Sequence, residues 1–302
     1  MSATPATAAS TPVTASVSTD SATHMSVGDA ITAEQIADAV AGGDRSPAFP
    51  ETAAYALQLA DDSLILSQRL GWWISRAPEM EEDIALGNIA LDILGHARFF
   101  YAYAGTAWGR TEDDLAYFRA EEDFRSTRLV EQPGQDFGQA IARQLIFSFY
   151  TAELYKRLSA STDPVLAAIA DKAVKEVAYH VDHATQWLLR LGLGTDESHA
   201  RMQDALDVMW PYKDELFADT AEALAAEQAV PGSTVSGADM ADMKTVVDGR
   251  LTTALRAAGL EIPDVKSAAF FDAPREGAFS EYRGFILTEL QSLARRHPGA
   301  TW

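Results

Sequence analysis

The chain has 302 residues, 47% hydrophobic and 23% charged, the balance of a globular protein with a sizeable core. Lys+Arg 24 against Asp+Glu 44 gives a formal net charge of −20, a surface that repels nucleic acid and anionic lipid and suits a partner with a basic patch. The lack of cysteine excludes disulfides, thiolate zinc sites, iron–sulfur clusters and a cysteine nucleophile.

The first residues, MSATPATAASTPVTASVSTDSATHMSV, contain no Lys or Arg and no continuous apolar core, so they do not read as a secretory signal. Residues 1–46 are expected to be a disordered Ala/Ser/Thr/Pro-rich tail, with a possible short helix around Ala33–Val40. Residues 47–302 are expected to form one helical domain, with no period-2 alternation to suggest strands. No apolar run approaches the roughly 20 residues that a membrane-spanning helix needs. These features fit a cytoplasmic protein.

The first long helix is expected from about Glu51 to Ser75, with Pro50 favourable in its first turn. Tyr55, Leu59, Asp62, Leu66, Leu70 and Trp73 recur at three- and four-residue steps and define one buried face. The second runs from about Met80 to Thr106, with Glu79, Glu81, Glu82 and Asp83 where the helix dipole favours acids. Gly87, Leu91 and Gly95 line one side of it and permit close approach of another helix. A looser stretch over 111–134 holds a short helix near Asp113–Ala120.

A third long helix spans about Asp136 to Ser159. A fourth spans Pro164 to Leu191, opened by Asp163-Pro164 and closed by Gly192. A fifth is expected from about Glu197 to Glu227, broken or kinked at Pro211. VPGSTVSG (230–237) reads as a linker, followed by helices near Ala238–Ala258 and Ser280–Arg296. Four long helices suit a bundle with a site buried at mid-length.

Several polar residues fall on apolar faces: Asp62 on the first long helix, Asp92 and His96 on the second, and Glu176, His180 and His183 on the fourth. A buried carboxylate must find a hydrogen bond, a cation or a metal. A carboxylate-bridged di-iron centre needs a Glu from each of two helices and Glu-x-x-His from each of the other two. No Glu in the chain has a His three residues later: His96 follows Asp92 by four and His180 follows Glu176 by four. Between Gln144 and Glu153 the third long helix reads QLIFSFYTAE, with no carboxylate at its centre. The expectation is therefore a polar core in which Asp62, Asp92, Glu176 and His180 bond among themselves or to Arg69 or Arg98. Against it stand a metal shared by His180 and His183, with no third ligand evident, and a plain core role for His183. The Trp72-Trp73 pair and the Phe99–Tyr101 run read as packing, and the acids at 112–114 and 121–123 as solvated faces.

LADDSLILSQRLGWWISRAPEMEEDIALGNIALDILGHARFFYAYA (59–104), LVEQPGQDFGQAIARQ (129–144), KEVAYH (175–180), LGLGTD (191–196) and PGATW (298–302) resemble the C subunits of bacterial phenylacetyl-CoA epoxidases. The resemblance covers about residues 50–302. It implies an all-α, ferritin-like four-helix bundle with additional C-terminal helices. It also implies a structural role beside a catalytic A subunit that carries di-iron and binds the aromatic acyl-CoA, in a complex that further includes a reductase and another small subunit. On that reading no cofactor belongs to this chain. The alternative is a metal-binding oxygenase or oxidase using Asp62, Asp92, Glu176, His180 and His183.

Overall fold

The computed structural model describes residues 32–42, 46–229, 239–268, 275 and 279–300. Expectations for residues 1–31 and for the 230–237 linker lie outside them. Among the described residues there is no strand, and no helix is long and apolar enough to cross a membrane. The fold is an all-α, ferritin-like bundle built on α2 (Pro50–Gly71), α3 (Met80–Trp108), α6 (Phe137–Leu158) and α7 (Pro164–Gly192). These have 22, 29, 22 and 29 residues, hence lengths of about 33 to 44 Å. α2 packs along α3 and α6 along α7, so two helical hairpins face each other.

The boundaries follow local chemistry. α2 stops at Gly71, four residues earlier than expected. There the turn tightens to i→i+3 bonds (Trp73 N to Leu70 O, Ile74 N to Gly71 O), and Ser75 takes a left-handed φ of 65°. α3 ends where Gly109 turns left-handed, φ 61°. One turn earlier the chain folds back on Gly105 so tightly that a Cβ there would lie 2.1 Å from the Arg110 carbonyl oxygen. Asp163 caps α7 through the Val165 and Leu166 amides, with Pro164 in the first turn, as its sequence signals.

Elsewhere the structure differs from the sequence reading. The helix expected over 197–227 with a break or kink at Pro211 does break there, but into three pieces: α8 (Asp196–Met209), a 3-10 segment (Trp210–Phe217) and α9 (Ala221–Ala229). Pro211 cannot donate an α-helical bond, and Thr220 restarts the helix by accepting from the Ala223 amide. The looser stretch holds α4 (Glu112–Tyr117), opened by a Thr111–Asp114 capping box, a 3-10 turn at Glu121–Asp123, and the four-residue α5 (Arg128–Glu131). Ahead of the bundle, α1 (Ala33–Ala41) lies on α3 with Ile36 buried. α10 (Met240–Ala257) packs on α6, and α11 (Arg283–Arg296) lies near α4.

The bundle holds its outer segments through buried ion pairs. Asp61 and Asp62, adjacent on α2, are both buried. Asp61 pairs with Arg119 and accepts from Tyr101 Oη at 2.6 Å and the Arg125 amide at 2.7 Å. Asp62 accepts from the Thr127 amide at 2.7 Å and meets Arg275 at 2.8 Å. Glu131 accepts from Ser126 Oγ and the Ser280 amide, with Arg283 at 3.6 Å. Glu215 meets Arg128 at 3.2 Å. The segment 119–131 and the C-terminal region are thereby fastened to the bundle. Arg275 reaches its place from a left-handed backbone, φ 66°, a conformation that costs about 1–2 kcal/mol and that its ion pair must offset.

Replacing Arg119 by Met leaves the Asp61 carboxylate buried without its cation. Urea unfolding is expected to show a loss of about 3–5 kcal/mol. Adding Asp61→Asn removes the stranded charge and should recover part of that loss. A double variant as unstable as the sum of the two singles would show that the stranded charge is not the source.

Candidate functional site

The four-residue spacings in Asp92/His96 and Glu176/His180 place each acid and histidine on one helix face. Within a helix, however, they do not bond to each other; they pair across the α3/α7 seam. His96 Nε2 lies 2.7 Å from Glu176 Oε2, and His180 Nε2 lies 3.0 Å from Asp92 Oδ2. A third pair joins His183 Nε2 to Glu82 Oε2 at 2.9 Å. Rising numbers on α3 meet falling numbers on α7, so the two helices are antiparallel and the pairs form a ladder along the seam.

The three imidazoles are buried, whereas the Asp92 and Glu176 side chains remain 35% and 31% exposed. The His96 and His180 ring centroids are 6.4 Å apart, and Tyr155 packs edge-on to His96 at 5.4 Å. Burial holds the His180 pKa below its ordinary value, and nearby His96 adds to this, while Asp92 opposes it. Tyr179 flanks His180 and His183.

Asp62 is not part of this ladder. It faces Thr127 and Arg275, and burial raises its carboxyl pKa against the opposing charge of Arg275. The two arginines expected as partners from the sequence are engaged elsewhere. Arg69 donates to the Glu131 carbonyl, and Arg98 pairs with Glu34 and Glu112. Glu112 is thus an ion-pair partner as well as a helix-start acid, and Asp114 belongs to the capping box. Glu82, read from the sequence only as a first-turn acid, is the partner of His183. Asp61 could have been flagged by its position beside Asp62 in an apolar helix.

The donor set does not fit a carboxylate-bridged dinuclear iron centre. Such a centre draws carboxylates from all four helices. Here α2 directs Asp61 and Asp62 toward the outer segments, and its next residue, Ser63, donates to the Leu59 carbonyl. At mid-length α6 offers Gln144, Ser148 and Thr151. Ser148 and Thr151 donate to carbonyls of their own helix, and the Gln144 amide donates to Ser148 Oγ. His96, His180 and His183 each place Nε2 against a carboxylate of the facing helix. Among the described residues no three His, Asp or Glu side chains converge as metal ligands.

The model of the family described as phenylacetic acid catabolic protein matches residues 44–302. The C subunit of 1,2-phenylacetyl-CoA epoxidase from Escherichia coli (strain K12) is 40% identical over 251 residues, covering 82% of this chain and 98% of that protein. With the helical bundle and the sequence blocks that resemble those subunits, these matches establish that the chain belongs to the phenylacetic acid catabolic protein family, alongside the C subunits of phenylacetyl-CoA epoxidase.

Proposed function

We propose that this chain is a non-catalytic, structural subunit of a multicomponent phenylacetyl-CoA 1,2-epoxidase in aerobic phenylacetate degradation. In this reading it is cytoplasmic and packs against a catalytic partner that carries the di-iron centre and binds the aromatic acyl-CoA. The assembly also includes a reductase and another small subunit. The observation that carries the reading is the α3/α7 ladder. The histidines and acids that a metal would require are bonded to one another across the seam at 2.7–3.0 Å, and α2 and α6 bring no carboxylate to them. Buried polar groups bonded across a seam in this way act as struts that fix how two helices meet, although His183 Nδ1 has no hydrogen-bond partner among the described residues.

A second reading has one observation in its favour: three imidazoles and three carboxylates share one seam, with His96 and His180 6.4 Å apart. On that reading the chain would hold a metal of its own. Iron analysis of the purified chain, alone and within the assembled complex, separates the two. The structural reading expects iron only when the catalytic subunit is present, and His96→Gln in the complex should leave turnover per iron within about threefold of wild type. Stoichiometric iron in the isolated chain, or a loss of turnover of the 10²-fold order that follows removal of a catalytic group, would overturn it.

The ladder also predicts a pH signature. His180 has a folded-state pKa below its ordinary 6.5, so the unfolded chain takes up the proton first. Below pH about 6.5 the unfolded state holds more protons at this group, and stability falls as pH falls toward the folded pKa. Urea melts between pH 7.5 and 5.5 are expected to show that slope, and His180→Gln should flatten it. An unchanged slope in the variant would remove His180 as its origin.

A further inference from the structure

The ladder reaches the surface at a patch that no other part of the described chain covers. On α3, Ile84 and Leu91 lie three residues before and four after Gly87, on one face. Ile74, from the turn after α2, reaches the same place: its Cδ1 would lie 3.8 Å from a Cβ on Gly87. These three isoleucine and leucine side chains are 51–66% exposed. Tyr179 of α7 is also half-exposed. Its ring packs beside those of His180 and His183, and its hydroxyl feels the charges of Glu82 and Asp92 on the opposite helix, so it lies over the seam. The apolar patch therefore borders Asp92, which follows Leu91 on α3, and Glu176 lies one turn before Tyr179 on α7; these are the two partly exposed carboxylates of the ladder.

Two further features give the patch a polarity and a shape. Asp92 and Glu176 each give one oxygen to a buried imidazole, Oδ2 and Oε2. Those bonds hold the carboxylates at the seam, with about a third of each side chain still facing outward. A fixed, half-desolvated pair of acids in a chain of net charge −20 is complementary to one cationic side chain, best to a planar guanidinium. Further along the α3 face, Gly95 is open: a Cβ there would meet nothing within 4 Å. A glycine inside a helix lowers stability relative to alanine, and nothing within the described chain calls for it. It leaves a flat stretch on which a second helix can lie close.

Building on the structural-subunit reading, we propose that the α3/α7 seam is the face on which the catalytic subunit docks. A helix of that partner sets an arginine or lysine between Asp92 and Glu176 and lays apolar side chains over Ile84, Leu91 and Tyr179. The ladder then has a second role: its buried histidines orient the acids that receive the partner's cation.

The test uses the full-length chain and its catalytic partner, co-expressed and then titrated against each other as purified proteins. Asp92→Asn combined with Glu176→Gln is expected to weaken association about tenfold and to reduce its salt dependence. Leu91→Asp, which places a charge in the apolar patch, is expected to weaken it about a hundredfold. Gly95→Leu should raise the melting temperature of the isolated chain yet weaken the complex, a combination that a folding defect cannot produce. Phe285→Asp, on the exposed side of α11, should change nothing. Wild-type association with all three seam variants would overturn the docking face while leaving the structural-subunit reading intact, as would disruption by Phe285→Asp alone. Failure of the wild-type chain to bind the partner at all would overturn both.

Discussion

Two adjacent carboxylates buried in the middle of α2 set the terms for much of the fold outside the bundle. Moving a carboxylate from water into a protein interior carries a penalty of several kcal/mol unless a cation and hydrogen bonds replace the lost solvent. Asp61 and Asp62 cannot be served by α2 itself, so their partners come from elsewhere: Arg119 and Tyr101 for one, Thr127 and Arg275 for the other. The irregular stretch after α4 is therefore not a loose connection. It is ordered because Asp61 takes the Arg125 amide and Asp62 the Thr127 amide. The same logic extends one layer outward, where Glu131 joins this stretch to Ser280 and Arg283 near the start of α11.

The bundle interior thus contains two kinds of polar system with different consequences. The acid–arginine pairs around α2 are buried on both sides, so they fix connectivity: each joins α2 to a segment outside the bundle. The histidine–carboxylate pairs of the α3/α7 seam combine a buried, titratable ring with an acid, and at Asp92 and Glu176 that acid reaches the surface. Such pairs set the register between two antiparallel helices, since each histidine finds an acceptor only at one relative position. They also make the seam responsive to protonation at His180, whose pKa burial holds below its ordinary value. A metal would replace either system only if its acids could turn toward a common point. The hydrogen bonds made by Asp61 and Asp62 with backbone amides hold them in the opposite sense.

The long helices are legible in the sequence because local chemistry and tertiary packing agree there. Asp163-Pro164 opens α7 and Pro50 opens α2 in the structure as their residue types require. The end of α2 departs from the periodic pattern because Trp73 continues the apolar repeat, yet the backbone has already tightened and Ser75 has turned left-handed. α5 leaves no trace in the sequence, since four residues give no periodicity to detect. The site is legible in part. Its residues stand out as polar positions on apolar faces, and the spacings of four are visible without coordinates. Which acid meets which histidine is not, because the pairing depends on how α3 and α7 are registered. Nothing near Asp62 in sequence points to Arg275, 213 positions away, and Glu82 already has a sufficient local explanation in the helix dipole.

The exposure of Asp92 and Glu176 links the interior of the bundle to its surroundings. A carboxylate used only as an internal strut is best placed where water cannot compete for it, as Asp61 and Asp62 are. These two instead sit where one oxygen serves a buried imidazole and much of the group still meets solvent. Beside them lie large apolar side chains that gain nothing from exposure and a glycine that its own helix does not need. Each feature alone is ordinary on a protein surface. Together, on one seam, they have the composition of an interface core, with apolar groups around a small number of oriented charges. In the same chain, the acid pair at the centre of α2 shows what happens when such charges are closed off by the protein's own arginines. At the seam no arginine or lysine among the described residues pairs with Asp92 or Glu176, and that is the place the proposed docking gives to a partner's cation.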